Sequence, residues 1–162
     1  DPLWKLTNLV AFKFSNTMTE NGSVKRGVCF EDEHHNLTKL VESSIERNEE
    51  GRIIATPLEE GEACEVSEDQ PVSMNLFCFN KDLIPALGEK FPLWLKENIN
   101  VPKSEFLIPT VVDELVHENK ATVRLLSTPS VWFGVTYKED KPGVVKALKD
   151  LVDKGEYKEG LY

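Results

Sequence analysis

Apolar residues recur at two different spacings along this chain. Up to about residue 79 they fall in short runs rich in β-branched and aromatic side chains, the spacing of strands. Leu9-Val10-Ala11-Phe12-Lys13-Phe14 is the first run, Val24 to Phe30 the second, and Leu37 to Glu42 the third, with Leu37, Leu40 and Val41 as its apolar members. Glu20-Asn21-Gly22 and the Asx-rich stretch from Glu31 to Asn36 separate them and predict hairpin turns. From Ile45 to Pro71 the chain is acidic and weakly patterned. Arg52-Ile53-Ile54-Ala55 and Ala63-Cys64-Glu65-Val66 are candidate short hairpin strands there. Val72 to Phe79 is apolar on both alternating positions, which predicts a strand covered on both faces.

After residue 80 the spacing becomes helical. Leu83, Ile84, Leu87, Phe91, Trp94, Leu95 and Ile99 recur at three- and four-residue steps, and Gly88 with Pro92 predicts a break into two short helices. Ser104 is a candidate cap for a second helical stripe, Leu107, Ile108, Val111, Val112, Leu115 and Val116, with Pro109 in its first turn. Ala121 to Leu126 predicts a strand, and Thr128-Pro129-Ser130 turns the chain into Val131-Trp132-Phe133-Gly134-Val135-Thr136-Tyr137. This last run predicts a core strand that delivers its end to the mouth of a sheet, where open α/β folds hold ligands. Asp140 then caps a final helix with Pro142 in its first turn, an apolar stripe of Val144, Val145, Leu148, Leu151 and Val152, and Gly155 as its stop. Strands, a helix pair, two strands and a helix add up to an α/β fold, a mixed sheet with flanking helices, over residues 1–162 as a single domain.

Charge narrows the partners. The 162 residues carry a formal net charge of −9, which argues against a nucleic-acid groove and against attraction to an anionic membrane. Small anions stay open, because a few placed Lys or Arg side chains act locally in an acidic protein. No apolar run approaches the roughly 20 residues of a membrane span. Asp1-Pro2-Leu3-Trp4-Lys5 reads as chain already under way rather than as a signal peptide. Cys29, Cys64 and Cys78 form no CxxC, and Cys29 and Cys78 sit in strand-like runs. They read as buried small hydrophobes of a reducing, cytoplasmic setting rather than zinc ligands. His34-His35 reads as part of a polar turn. Glu49-Glu50 and Glu59-Glu60 read as solvated loop, and no Gly-x-Ser-x-Gly nucleophile elbow is present.

Four positions carry candidate binding chemistry. Gly27, within Asn21-Gly22-Ser23-Val24-Lys25-Arg26-Gly27-Val28-Cys29, either lets a ring approach the main chain or marks a β-bulge. Glu42, in Leu40-Val41-Glu42-Ser43-Ser44, offers two acceptor oxygens to neighbouring hydroxyls or is a solvated charge at a strand end. Asn75, in Val72-Ser73-Met74-Asn75-Leu76-Phe77-Cys78-Phe79, needs partners if buried, from a ligand or from backbone. Trp132 belongs to the final aromatic run.

Together these blocks resemble the C-terminal half of the sugar-nucleotidyltransferase catalytic domain, the family of nucleoside-diphosphate-sugar pyrophosphorylases. The resemblance covers nearly all of the chain, and its last block is most similar to a bacterial subgroup called simply nucleotidyltransferases. It implies a partial Rossmann-like nucleotidyltransferase domain in which Gly27 and Glu42 hold a sugar while Asn75 and Trp132 shape its pocket. The family's lysine after the glutamate, which neutralises the sugar phosphate, is replaced by Ser43; Lys25, Arg26 and Arg47 are candidates to take its place, Arg26 among the implied site residues. The family's magnesium-binding Asp after the Trp-Phe pair is here Gly134, as is usual in that subgroup, so no metal ligand or catalytic residue is expected in this chain. The full-length protein implied by the resemblance uses magnesium, a nucleoside triphosphate and a sugar-1-phosphate. The Gly-x-Gly-x-Arg loop that wraps the triphosphate does not occur in these residues, so the piece is expected to be inactive alone. Alternatives are a sugar-phosphate or nucleotide-sugar binding module and a structural domain. A homodimer through apolar surface left uncovered is a further expectation.

Overall fold

The computed structural model describes residues 4–18, 23–135 and 138–160, with side chains from residue 7 onward. The turn expected at Glu20-Asn21-Gly22 and the Thr136-Tyr137 end of the aromatic run lie outside the described residues. The chain divides into two units, residues 1–130 and 131–162.

The first unit is mixed α/β. Its strands are β1 (Trp4–Lys13), β2 (Val24–Glu31), β3 (Leu37–Arg47), β4 (Ile53–Pro57), β5 (Cys64–Val66), β6 (Pro71–Cys78) and β7 (Ala121–Thr128); its helices are α1 (Leu83–Asn98) and α2 (Ile108–His117). The sheet order is β5-β4-β3-β2-β6-β1-β7. β1 and β7 pair in parallel, and every other pairing is antiparallel. The weakly patterned acidic stretch does form the short β4–β5 hairpin. The Glu31–Asn36 turn forms as well. There the Asp32 carboxylate accepts the backbone N–H groups of His34 and Asn36 and the Asn36 amide, which holds it below the usual carboxylate range.

Register assigns the two faces of the sheet. Gly27 pairs with Glu42 and Cys29 with Leu40, so these four side-chain positions share one face. Helix α2 covers it. Leu9, Ala11, Cys29, Leu37, Leu40, Val123 and Leu125 pack with Val112 in one buried cluster. Val111 and Leu115 of α2 join Leu83 and Ala86 of α1 in a second. Each leucine or valine among them removed from water contributes on the order of 1.5–3 kcal/mol. The opposite face buries Val28, Ile45, Ala55 and Val72, so the middle of the sheet is apolar on both sides.

Several expectations are corrected. Val131–Val135 forms no strand; Val131, Phe133 and Val135 are exposed. The run has β-propensity, but a strand exists only through its partner, and Pro129 just before it has no N–H to extend a ladder. Gly88 and Pro92 do not split α1, which runs unbroken from Leu83 to Asn98. Both residues are exposed, so water can reach the Gly88 carbonyl that Pro92 leaves without an amide partner. Ser104 does not cap α2. The N-cap position is Leu107, and the Ser104 hydroxyl donates instead to the Asn98 carbonyl at 3.2 Å. β6 is covered on both faces only at Val72 and Ser73. Beyond them Asn75 takes a left-handed φ of +59° in a bulge where the register with β1 jumps, and Leu76 and Cys78 are exposed. Cys78 is therefore not the buried hydrophobe its run suggested.

In the second unit, α3 (Lys141–Asp153) starts with Asp140 at the N-cap and Pro142 in the first turn. The Asp140 side chain makes no capping bond, and Gly155, at φ +76°, follows the helix end. Among the described residues no helix is long and apolar enough to cross a membrane.

Candidate functional site

Glu42, the β3 partner of Gly27, lines a pocket of about 240 Å³. Its walls come from β2 and β3, from Ala55 and Pro57 on β4, from the β4–β5 connection at Glu59, Glu60, Gly61 and Glu62, and from Thr110 and Asp113 on α2. Two bonds hold these walls together. The Asp113 carboxylate accepts the Leu40 N–H at 2.6 Å, fastening α2 to β3, and the Glu42 carbonyl accepts the Leu58 N–H at 2.8 Å, fastening the β4–β5 connection to β3.

Gly27 is required where it stands. A Cβ there would come within 2.9 Å of Leu40 Cδ1, 3.0 Å of Glu42 Oε1 and 3.1 Å of Ser73 Cβ. The Glu42 carboxylate thus lies over the glycine backbone. The Glu42 side chain is half-buried, and burial raises its carboxyl above the ordinary value. Among the described residues it makes no hydrogen bond or ion pair, so its acceptor oxygens are open to a ligand. Beneath it Cys29 is fully buried. Burial, then the charges of Glu42 and Glu31, push its thiol up, so it is an inert packing group.

The lining is strongly acidic. Glu42, Glu59, Glu60, Glu62 and Asp113 face the single cation Lys39. The Glu59-Glu60 pair, expected as solvated loop, is exposed yet forms the rim of this pocket, because the β4–β5 hairpin folds it back over β3. No sequence signal marked Asp113 or Thr110 as pocket residues; both sit on the helix stripe's polar flank, and only the docking of α2 brings them to β3.

The other implied site residues fall elsewhere. Arg26, one position from Gly27, belongs to the opposite face of β2 and is buried. Its Nε donates to Thr17 Oγ1 at 3.1 Å, Nη1 to the Lys25 carbonyl at 2.8 Å and Nη2 to the Thr17 carbonyl. It anchors the short 3-10 turn Phe14–Thr17 and is not among the residues that line the Glu42 pocket. Desolvation lowers its pKa from the usual value. Asn75 is exposed at its bulge and is not part of the pocket lining; its own N–H donates to Ser73 Oγ at 3.1 Å. Trp132 lies in the second unit, with its indole folded onto Gly134.

That indole bears on magnesium. A Cβ at position 134 would overlap the Trp132 ring, so no carboxylate can stand there while the indole keeps its place. Among the described residues no three His, Cys, Asp or Glu side chains converge to hold an ion. The described side chains offer no donor set that fits a magnesium ion.

Fold and site together define a mixed α/β domain with one half-buried, unengaged carboxylate over a glycine at the edge of an acidic pocket. Compared with the models of known protein families and with curated proteins, the chain gives no match.

Proposed function

We propose that this domain binds the hydroxyl-bearing ring of a sugar or nucleotide sugar in the Glu42 pocket. The observation that carries the reading is Glu42: a half-buried carboxylate on the pocket wall with no donor engaged, seated over the Gly27 backbone. A carboxylate accepts from two neighbouring hydroxyls at once, and a half-buried one gains most when those donors arrive. The pocket's size suits a small ligand, since about 240 Å³ is below the usual range for drug-sized molecules. Its carboxylates oppose a phosphate inside it, so the phosphorylated end of a ligand points to solvent.

The wider role we propose follows the resemblance. The domain is the acceptor side of a Rossmann-like nucleotidyltransferase that transfers a nucleotidyl group from a nucleoside triphosphate to a sugar-1-phosphate and releases pyrophosphate. This chain's part in that reaction is to hold and orient the acceptor, which lowers the barrier through positioning. A binding module without catalysis uses the same pocket, and the acidic lining favours it where the ligand is a neutral sugar.

The test is thermal unfolding of the chain with monosaccharides, their 1-phosphates and nucleoside-diphosphate sugars, repeated on Glu42→Ala. A ligand at one hundred times its Kd stabilises by about 2.7 kcal/mol. The reading expects a shift with at least one sugar or nucleotide sugar and its loss in the variant. A shift that survives in Glu42→Ala, or none from any compound, overturns it.

A further inference from the structure

A second concavity, about 420 Å³, runs between α1 and α2, and its chemistry differs from that of the Glu42 pocket. Its apolar part is formed by Leu93 and Trp94 of α1, Phe106 and Leu107 before α2, and Val111. Phe91, Trp94 and Phe106 make a mutually packed aromatic group with ring centroids 5.3–6.1 Å apart. Leu93 is 67% exposed although it lines the groove. Four carboxylates stand around this surface: Glu59, Glu97, Glu105 and Glu114. Among the described residues Lys90 is the only cation in the lining. Its Nζ is already held by Glu114 at 2.7 Å and Glu118 at 2.8 Å.

We propose that this groove is the docking site for a basic peptide segment of a partner protein, with an apolar side chain seated on Trp94 and Phe106 and arginine or lysine side chains reaching the acidic rim. Charge complementarity selects this occupant. The half-exposed rings of Trp94 and Phe106 supply area and a face that attracts cations. The carboxylates come from four different places: the β4–β5 connection, α1, the approach to α2, and α2 itself. They surround the groove and do not converge, and among the described residues no three acidic, His or Cys side chains gather around a point. A compact cation is therefore gripped poorly, whereas a chain with spaced positive charges meets them one by one. The net charge of −9 adds long-range steering toward such a partner. The groove shares Glu59 and Thr110 with the Glu42 pocket, but Glu42 takes no part in it, and the rim pair tested below, Glu97 and Glu105, lies outside that pocket.

The probe is a fluorescein-labelled short peptide alternating leucine and arginine, with a leucine–glutamate peptide of the same length as its control, measured by anisotropy against the full chain. Glu97 and Glu105 are exposed and make no ion pair among the described residues, so Glu97→Gln with Glu105→Gln removes two rim charges without touching the core. Glu46→Gln with Glu49→Gln removes the same charge from exposed positions elsewhere. The proposal expects binding of the arginine peptide only, weakened about five- to tenfold by the rim pair and unchanged by the distant pair. Equal weakening by both pairs shows attraction to net charge alone and overturns it. So does retained affinity in the rim variant, equal binding of the glutamate peptide, or no binding of the arginine peptide.

Discussion

Helices α2 and α3 carry the same kind of apolar stripe and meet different fates. In α2, Val111, Val112 and Leu115 are buried against the sheet and α1. In α3 no residue is buried; Val145 is 57% exposed and Leu148 41%. The contrast extends to charge. The first unit buries Arg26 with its donors engaged, and among the described residues every fully buried side-chain nitrogen or oxygen has a partner. The second holds the ion pairs Lys146–Asp150 and Lys149–Asp153 at the surface. Periodicity reports that a helix is amphipathic. What the apolar stripe is worth depends on the surface it meets, which a helix's own sequence does not contain.

The largest effect separates the helices directly. Leu115→Ala opens a cavity under α2 and should cost about 2–5 kcal/mol, read as a lower urea midpoint at unchanged slope. Leu148→Ala removes an exposed side chain and should stay within about 0.5 kcal/mol. Native-state hydrogen exchange should rank the elements the same way, with α2 amides near the global limit and α3 amides exchanging far faster. Equal costs for the two leucines would mean that α3 is buried in solution.

Arg26 tests the polar half of the contrast. Arg26→Ala removes the donors to the Thr17 hydroxyl and carbonyl. The expected loss is about 2–3 kcal/mol, the range for hydrogen bonds to a charged group whose partners stay buried. Arg26→Lys should recover part of it, since an ammonium reaches one acceptor where the planar guanidinium reaches several.

The sequence was informative where local pattern and partner agree. The strand runs between Leu9 and Val72 and the α2 stripe lie close to where alternation and helical spacing put them, although β1 starts back at Trp4 and β3 runs on past Glu42 to Arg47. The Val131–Val135 run shows the limit. It carries β-branched and aromatic residues as β1 does, yet it forms no strand. The site follows the same rule. Gly27 and Glu42 face each other because two adjacent strands form a hairpin, which turn residues announce. Asp113 and the Glu59–Glu62 rim arrive from distant segments, and nothing local to those residues marks where they dock.

Glu42 gives a smaller, pH-dependent effect. Burial raises its carboxyl above the unfolded-chain value of 4.5. The folded state therefore holds this proton more tightly than the unfolded state, and stability falls as pH rises from about the unfolded value through the folded one. Glu42→Gln keeps the shape and removes the charge. Its Tm should exceed that of the parent at pH 7 by less than about 4 °C, with the difference closing as pH drops below 4.5. A variant less stable than the parent at pH 7 would show that Glu42 has a stabilising partner in solution, and would remove the open acceptor on which sugar binding rests.

The smallest effect lies in α3, where exposed charge stands in for burial. Lys146 Nζ meets Asp150 Oδ2 at 2.8 Å and Lys149 Nζ meets Asp153 Oδ2 at 2.7 Å, both one helical turn apart. The bond to Asp150 raises the Lys146 pKa, and the same bond lowers that of Asp150. Such pairs tie adjacent turns together but are screened by salt. Lys146→Ala with Lys149→Ala should speed amide exchange in α3 about twofold per pair at low ionic strength, and should leave α2 unchanged. Raising the salt to 1 M, where charges are screened within about 3 Å, should produce nearly the same acceleration in the parent and little more in the variant. If salt leaves parental α3 exchange untouched, the pairs contribute nothing to the helix, and its order must come from apolar contacts that its exposed stripe does not show.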